Sequence, residues 1–374
     1  MPLFTSSDKA LWRLALPMIF SNITVPLLGL VDTAVIGHLD SPVFLGGVAV
    51  GATATSFLFM LLLFLRMSTT GLTAQAFGAK NPQALARALI QPLLLALGAG
   101  VMIVLFRTPL IELALHIVGG NDAALATVIA EYVTLLIGLM MVRKVLHLRG
   151  VSLDMLKQAW RGNVRRLLAL NRDIMLRSLL LQLCFGAITV SGARLGSDII
   201  AVNAVLMTLL TFTAYALDGF AYAVEAHSGQ AYGARDGSKL LDVWRAACRQ
   251  SGIVALLFST VYALAGEHIV ALLTSLPQIQ LLADRYLIWQ VVLPLVGVWC
   301  YLLDGMFIGA TRAAEMRNSM AVAAGGFALT LFALPVLGNH GLWLALTVFL
   351  ALRGLSLSLI WRRHWREGTW FARS

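Results

Sequence analysis

Three charged residues, Asp32, Arg66 and Glu131, lie within long apolar stretches of this sequence. Counted along an α-helix, Asp32 lies ~8 Å from the end of its stretch, and the other two lie ~12 Å deep from the same face. A lone charge in an apolar medium costs about 2.5–3.5 kcal/mol or more, so each needs a partner or a wet cavity. Together they are candidates for a titratable cluster, since carboxylates inside a membrane commonly mark ion pathways.

A structural role remains open for each of these residues. Asp32 could form a plain ion pair with Arg66, and Arg66 could serve only as a counter-ion. Glu131 would lie near the membrane surface if its helix began later than the sequence indicates.

The first apolar stretch also carries polar residues and a proline. Asn22 and Thr33 share one helical face, which makes them candidates to line a substrate cavity. Pro26 removes a backbone hydrogen bond to Asn22, so it could act as a hinge or be a tolerated proline in a packed helix. Asp218 lies deep in a later stretch and could line the same cavity or join two helices by a hydrogen bond.

Composition identifies the class of protein that positions these residues. The chain is 59% hydrophobic and only 12% charged, whereas soluble domains have about 25% charged residues. Its apolar stretches are long enough to cross a hydrocarbon core of about 30 Å, which requires helices. The sequence therefore predicts an all-α polytopic membrane protein with about ten transmembrane helices, four in the first half and six in the second.

Positive charge indicates the orientation of the chain. Most of the 28 Lys and Arg residues fall in segments on one side, and only Arg107, Arg194 and Arg285 fall in segments on the other. Since basic residues favour the cytoplasmic side, both termini are predicted there. The net charge of +10 thus reflects orientation, and no nucleic-acid partner is expected.

One phrase occurs twice at the end of a long apolar stretch, as AQAFGAKNP at Ala74–Pro82 and GQAYGARDG at Gly229–Gly237. Such a repeat predicts two halves of related build, related by a pseudo-two-fold axis along the membrane normal. The predicted domains are a first bundle at 1–142, a basic cytoplasmic linker at 143–173, a six-helix bundle at 174–360 and a basic tail at 361–374.

The usual motifs of enzymes and metal sites are missing from this sequence. It contains no phosphate-binding loop, zinc-ligand spacing or nucleophile elbow, and its three cysteines form no pattern. We therefore expect no enzymatic activity, no metal and no cofactor.

The sequence resembles the multidrug and toxic compound extrusion (MATE) family, and one enterobacterial branch of it. The resemblance rests on PMIFSNITVPLLGLVDTAVIGHLDS, on the repeated phrase and on LLDGMFIGATRAAEMRNS. It implies a MATE-like fold of two bundles around a central cavity, and cation-coupled efflux of small amphipathic or cationic molecules by alternating access. Membrane lipid would surround a protein expected to be monomeric.

The sequence departs from the family pattern in its first half. Family members have twelve spans, and the fourth and fifth appear to be missing here, with the join near Gly119–Asp122. The resemblance implies that the missing fifth span would have carried an Asn and an Asp of the cation site, so we expect weakened coupling. The alternatives are a lipid or lipid-linked flippase of related fold and an inactive truncated membrane protein.

Overall fold

A computed structural model describes residues 4–36, 62–106, 136, 139–162, 164–274, 276–332 and 334–372. The side chains of residues 28–36, 103–104 and 334–335 are outside this description. Two helical segments, 62–78 and 139–148, are described next to residues that are not. The other helices are α1 (Ser6–Ile36), α2 (Pro82–Leu105), α3 (Leu153–Gln158), α4 (Val164–Ala193), α5 (Ser197–Gly233), α6 (Gly237–Leu273), α7 (Pro277–Gly309), α8 (Ala313–Leu331), α9 (Leu334–Leu337) and α10 (Asn339–Glu367).

Seven of the described helices are long and apolar enough to cross a membrane: α1, α2, α4, α5, α6, α7 and α10. Glu315 and Arg317 in the first turns of α8 lower its average hydropathy, and α8 is not among the seven. The predicted all-helical, multi-pass fold is confirmed. Two of the ten predicted spans, Phe44–Phe77 and Ala123–Val142, fall largely outside the described residues.

Helices α5 and α7 form the centre of the described structure, because glycines on α7 let the two backbones approach closely. A Cβ added to Gly305 would lie 2.6 Å from the carbonyl oxygen of Ala221, and one added to Gly309 would lie 2.9 Å from that of Glu225. Helix α1 packs on the other side of α5, where Trp12 meets the ring of Phe220 at 5.1 Å. Charged side chains on α5 and α7 are consequently held in a tightly packed interior.

The two copies of the repeated phrase form the same turn. Lys80 and Arg235 both have positive φ, at 52° and 53°, in the left-handed region that often ends a helix. Asn81 and Asp236 each cap the following helix by accepting a hydrogen bond of 3.1 Å from the backbone N–H three residues later. The two repeated phrases thus form the same turn and the same helix cap, as the repeat predicts.

The same turn occurs a third time, between α7 and α8, where the sequence repeats only Gly-Ala. Thr311 has φ of 56°, and the N–H of Ala310 donates to the carbonyl of Met306 at 3.1 Å. We did not recognise this copy from the sequence, because Thr311 and Arg312 replace the Lys-Asn and Arg-Asp pairs of the other two.

The predicted basic tail folds back onto the protein. Helix α10 continues to Glu367, and Gly368 ends it in the left-handed conformation with φ of 68°. Arg312 Nη2 then donates to three tail carbonyls, those of residues 369, 370 and 372, at 2.9, 2.8 and 3.0 Å. Trp370 is only 1% exposed and meets the ring of Phe307 edge-on at 5.1 Å. The tail is therefore anchored to the turn that follows α7.

Candidate ion and substrate site

Arg66 connects the first half of the chain to the second. Its Nη1 lies 3.7 Å from Glu225 Oε2, and its guanidinium lies over the ring of Tyr222, 4.4 Å from the centroid. Arg66 belongs to segment 62–78, whereas Glu225 and Tyr222 belong to α5. The Glu225 side chain is 3% exposed and that of Arg66 is 40% exposed, so a buried carboxylate meets a more accessible cation.

A second ionic cluster lies entirely within the second half. Asp304 on α7 accepts a hydrogen bond of 2.6 Å from Arg177 Nη2 on α4, and another from Arg353 Nη2 on α10. All three residues are buried. Two guanidinium groups on one carboxylate leave an excess positive charge, which favours further carboxylates nearby.

Asp218 lies within electrostatic range of both clusters. It shares one face of α5 with Tyr222 and Glu225, one and two helical turns away. It interacts electrostatically with Asp304 and with three arginines, Arg353, Arg66 and Arg177. Three carboxylates and three guanidinium groups thus form one balanced ionic network among the described residues. A proton or cation that neutralises Glu225 would leave Arg66 without its partner. One that neutralises Asp304 would leave both Arg177 and Arg353 without theirs.

The structure describes the side chains of only some of the predicted site residues. Asn22 Nδ2 donates to the carbonyl of Tyr215 at 3.2 Å, which ties α1 to α5. Pro26 lies inside α1, which continues as helix on both sides of it. Asp32 and Thr33 lie on the last turns of α1, but their side chains are outside the described residues, as is all of Glu131. The proposed cluster of Asp32, Arg66 and Glu131 stays a prediction.

Four members of the network were not among the predicted site residues, and the structure buries all four: Glu225, Asp304, Arg353 and Arg177. Their presence on apolar helices was visible in the sequence. Their pairing was not, because each ion pair joins helices that are far apart along the chain.

Below this network, the two copies of the repeated phrase pack against each other. A Cβ on Gly78 would overlap the carbonyl oxygen of Gln230, and a Cβ on Gly233 would overlap that of Gln75. These contacts are reciprocal, since Gly78 corresponds to Gly233 and Gln75 to Gln230 in the repeat. We call this contact, between residues 74–78 and 229–233, the turn junction. Its reciprocity is what a pseudo-two-fold axis between the two segments requires.

Gln75 extends the turn junction to the third turn. Its Nε2 donates to the carbonyl of Gly309 at 2.8 Å and to Thr311 Oγ1 at 3.1 Å. The three related turns therefore meet at one end of the molecule. These contacts hold the two halves together at that end in this structure.

A charged interior between two related helical halves is typical of a transporter. The sequence family MatE matches residues 17–148 and 174–336, which is most of the chain. The chain belongs to the MatE family. It is a multi-pass membrane protein and a transporter, not an enzyme, as predicted.

A curated relative identifies the branch of the MatE family. DNA damage-inducible protein F of Escherichia coli (strain K12) is 75% identical over 439 aligned positions, covering 100% of this chain and 96% of the relative. The predicted branch is the one named after this protein, and that prediction is confirmed. The alignment exceeds the 374 residues of the chain by enough for two spans of about 20 residues and their connections. This difference agrees with the predicted absence of two spans.

Solved MATE structures share the fold. A MATE transporter in the straight conformation matches with a TM-score of 0.79 and 16% identity, covering 98% of this chain and 97% of the other. The Vibrio cholerae MATE transporter VcmN in the bent form matches with a TM-score of 0.78 and 18% identity, covering 98% and 99%. The similarity covers nearly the whole of each chain, so the MatE fold is retained despite the shorter sequence.

Proposed function

We propose that the chain is a multidrug efflux antiporter of the bacterial inner membrane, coupled to H⁺ or Na⁺ and working by alternating access. Its substrates would be small amphipathic or cationic molecules, and it would act as a monomer with both termini in the cytoplasm. Membership of the MatE family supports efflux transport. A solved structure with the same fold is described as a multidrug resistance MATE family transporter, which supports the substrate class.

The observation that carries the proposal is the ion pair between Arg66 and Glu225. It joins the two halves, and Glu225 lies about one to two helical turns along α5 from the turn junction, so its charge state bears on how firmly that junction holds. A cation that neutralises Glu225 would release Arg66. Arg66 could then turn to Asp32 and Glu131, its candidate partners in the first half, and the two halves could separate. The exchange of carboxylate partners by Arg66 would link cation binding to the conformational change of the protein.

The remaining candidates have supporting roles in this mechanism. Asn22 and Thr33 on α1 and Asp218 on α5 would line the substrate path, where an acidic group attracts cationic compounds. Pro26 would allow α1 to bend between the two states, since its backbone nitrogen donates no helical hydrogen bond.

The flippase alternative requires arginines available for a phosphate group in the central cavity. Arg66, Arg177 and Arg353 each have a carboxylate partner within the described network. This pairing favours the antiporter over the flippase.

The proposal is tested with purified chain in liposomes that contain a cationic dye, under an imposed pH or Na⁺ gradient. We expect Glu225→Gln to remove the gradient-dependent part of dye movement, because the ionic switch is lost. The matched control is Glu267→Gln on the exposed surface of α6, which should leave transport unchanged. Equal transport by both variants would contradict the proposed switch, and an unmutated chain with no gradient-dependent movement would favour the inactive alternative.

A further inference from the structure

A cavity of about 350 Å³ opens beside the turn junction. Segment 62–78 and α2 form one wall, and α4, α5 and the turn after α5 form the other, so both halves of the chain contribute. Among the described residues, no acidic side chain lines this cavity. Its polar lining includes Gln75, Asn81, Arg87, Gln91, Arg166 and Arg235, and Tyr232 also lies in the wall.

Three arginines from three separate elements line the cavity. Arg87 lies on α2, Arg166 on α4 and Arg235 in the turn after α5. Arg166 Nη2 also donates to Thr311 Oγ1 at 3.3 Å, which fixes it beside the third turn. In the ionic network each arginine has a carboxylate partner, but Arg87 and Arg235 have none among the described residues. The like charges of these two repel each other, and an anion between them would offset that repulsion.

An uncharged side chain of the lining also favours a hydrogen-bond acceptor in the cavity. The side-chain amide nitrogen of Gln91 is buried and has no hydrogen-bond partner among the described residues. A buried donor without an acceptor is destabilising, so an oxygen atom at this place would be stabilising. Asn81, at the start of α2, brings the positive end of that helix to the same cavity.

We propose that this cavity binds a phosphate group, presented by the head group of an anionic phospholipid. Guanidinium groups match phosphate oxygens in charge and geometry, which makes arginine a preferred residue for phosphate recognition. The apolar part of the lining includes Ala88 and Pro92 on α2. Beyond them the exposed side chains of Leu94 and Leu97 continue along α2, where an acyl chain could lie. A lipid bound in this way would contact both halves and stabilise the closed turn junction.

The test uses the purified full-length chain in detergent and counts bound lipids by native mass spectrometry. Anionic phosphatidylglycerol is compared with zwitterionic phosphatidylethanolamine, using Arg87→Gln, Arg235→Gln and the double variant. Each basic residue near an anionic lipid surface contributes about 1 kcal/mol, so each single variant should bind phosphatidylglycerol about fivefold more weakly. The double variant should lose more, and phosphatidylethanolamine, whose ammonium group offsets its phosphate charge, should bind more weakly to the unmutated chain and lose less in the variants. Thermal unfolding of each variant confirms that it is folded.

The matched control is Arg362→Gln, which removes one exposed arginine of α10 that does not line the cavity. We expect it to bind phosphatidylglycerol like the unmutated chain. Equal losses in the cavity variants and in this control would overturn the proposal. Competition by inorganic phosphate or glycerol phosphate distinguishes the two sources of the group. Effective competition would support the phosphate site with a free anion as its ligand, and weak competition would support the lipid.

Discussion

The turn junction provides the most direct test of how the two halves meet. We consider Gly78→Ala and Gly233→Ala, which add one methyl group at equivalent positions of the repeat. Each added Cβ would overlap a backbone carbonyl oxygen, of Gln230 in one case and of Gln75 in the other. A backbone atom cannot turn away as the end of a flexible side chain can. The two segments must therefore separate to accept either substitution.

The size of the effect follows from the geometry. Non-bonded carbon contacts are favourable at about 3.5–4.0 Å, so relieving either overlap requires a shift of about 1 Å or more. Overpacking of this kind costs about 1–3 kcal/mol. If the cost falls only on the closed state, the ratio of open to closed molecules rises about 5- to 150-fold. Either substitution alone should produce this shift, since the two contacts are reciprocal.

The shift can be measured as a distance between two spin labels by pulsed electron paramagnetic resonance. Gln83 and Ser238 are exposed, follow the two repeated turns and occupy equivalent positions in the repeat. Cysteines introduced there carry the labels, in a background that lacks the three native cysteines. We expect a longer distance, or a larger population of the longer distance, in both glycine variants.

Gly98→Ala and Gly186→Ala are the matched controls, because a Cβ at either position meets nothing within 4 Å. Replacing a helical glycine with alanine in open space stabilises a helix by about 0.5–1 kcal/mol, so neither control should open the turn junction. If Gly78→Ala and Gly233→Ala gave the same distances as these controls, the argument from reciprocal packing would be refuted.

Two further predictions concern stability, measured by thermal unfolding in detergent. Trp370→Ala should destabilise the protein by about 3–5 kcal/mol, because the buried tail side chain leaves a cavity, whereas Trp160→Ala, 55% exposed, should change little. A similar loss for both tryptophans would show that the tail is not anchored. Asp304→Asn should cost about 3–5 kcal/mol, because two buried arginines lose their shared carboxylate. Arg353→Gln should cost less, since Asp304 keeps Arg177, and the reverse order would contradict the assigned pairing.

The repeated phrase shows how far sequence alone leads in this chain. Lys80 and Arg235, each followed by a capping Asn or Asp, form the same turn in both halves. The sequence pattern therefore predicts this turn. The third turn at Thr311 escaped notice because its geometry needs only Gly-Ala before the residue of positive φ. A turn is a local structure, which is why short sequence phrases can predict it.

The ion pairs show what sequence could not supply. Depth along the helices grouped Arg66 with Asp32 and Glu131, all in the first half, whereas the structure pairs Arg66 with Glu225 in the second half. Depth is a local property, but the choice of partner depends on which helices pack together. Glu225 also had to be buried by contacts of α5 with α7, which no spacing in the sequence indicates.

The central claim is that this chain couples a cation gradient to efflux because Arg66 exchanges its carboxylate partner, from Glu225 on α5 to Asp32 inside the first helix. The measurement is dye transport by the purified chain in liposomes under an imposed pH gradient, beside the E. coli relative, each with and without Asp32→Asn or its equivalent. The account predicts transport by the relative that the substitution abolishes. It predicts slower transport by this chain, because two spans that would contribute to coupling are expected to be missing. It also predicts that Asp32→Asn removes the gradient-dependent part of that transport. Robust gradient-dependent transport by this chain that survives Asp32→Asn would contradict the account.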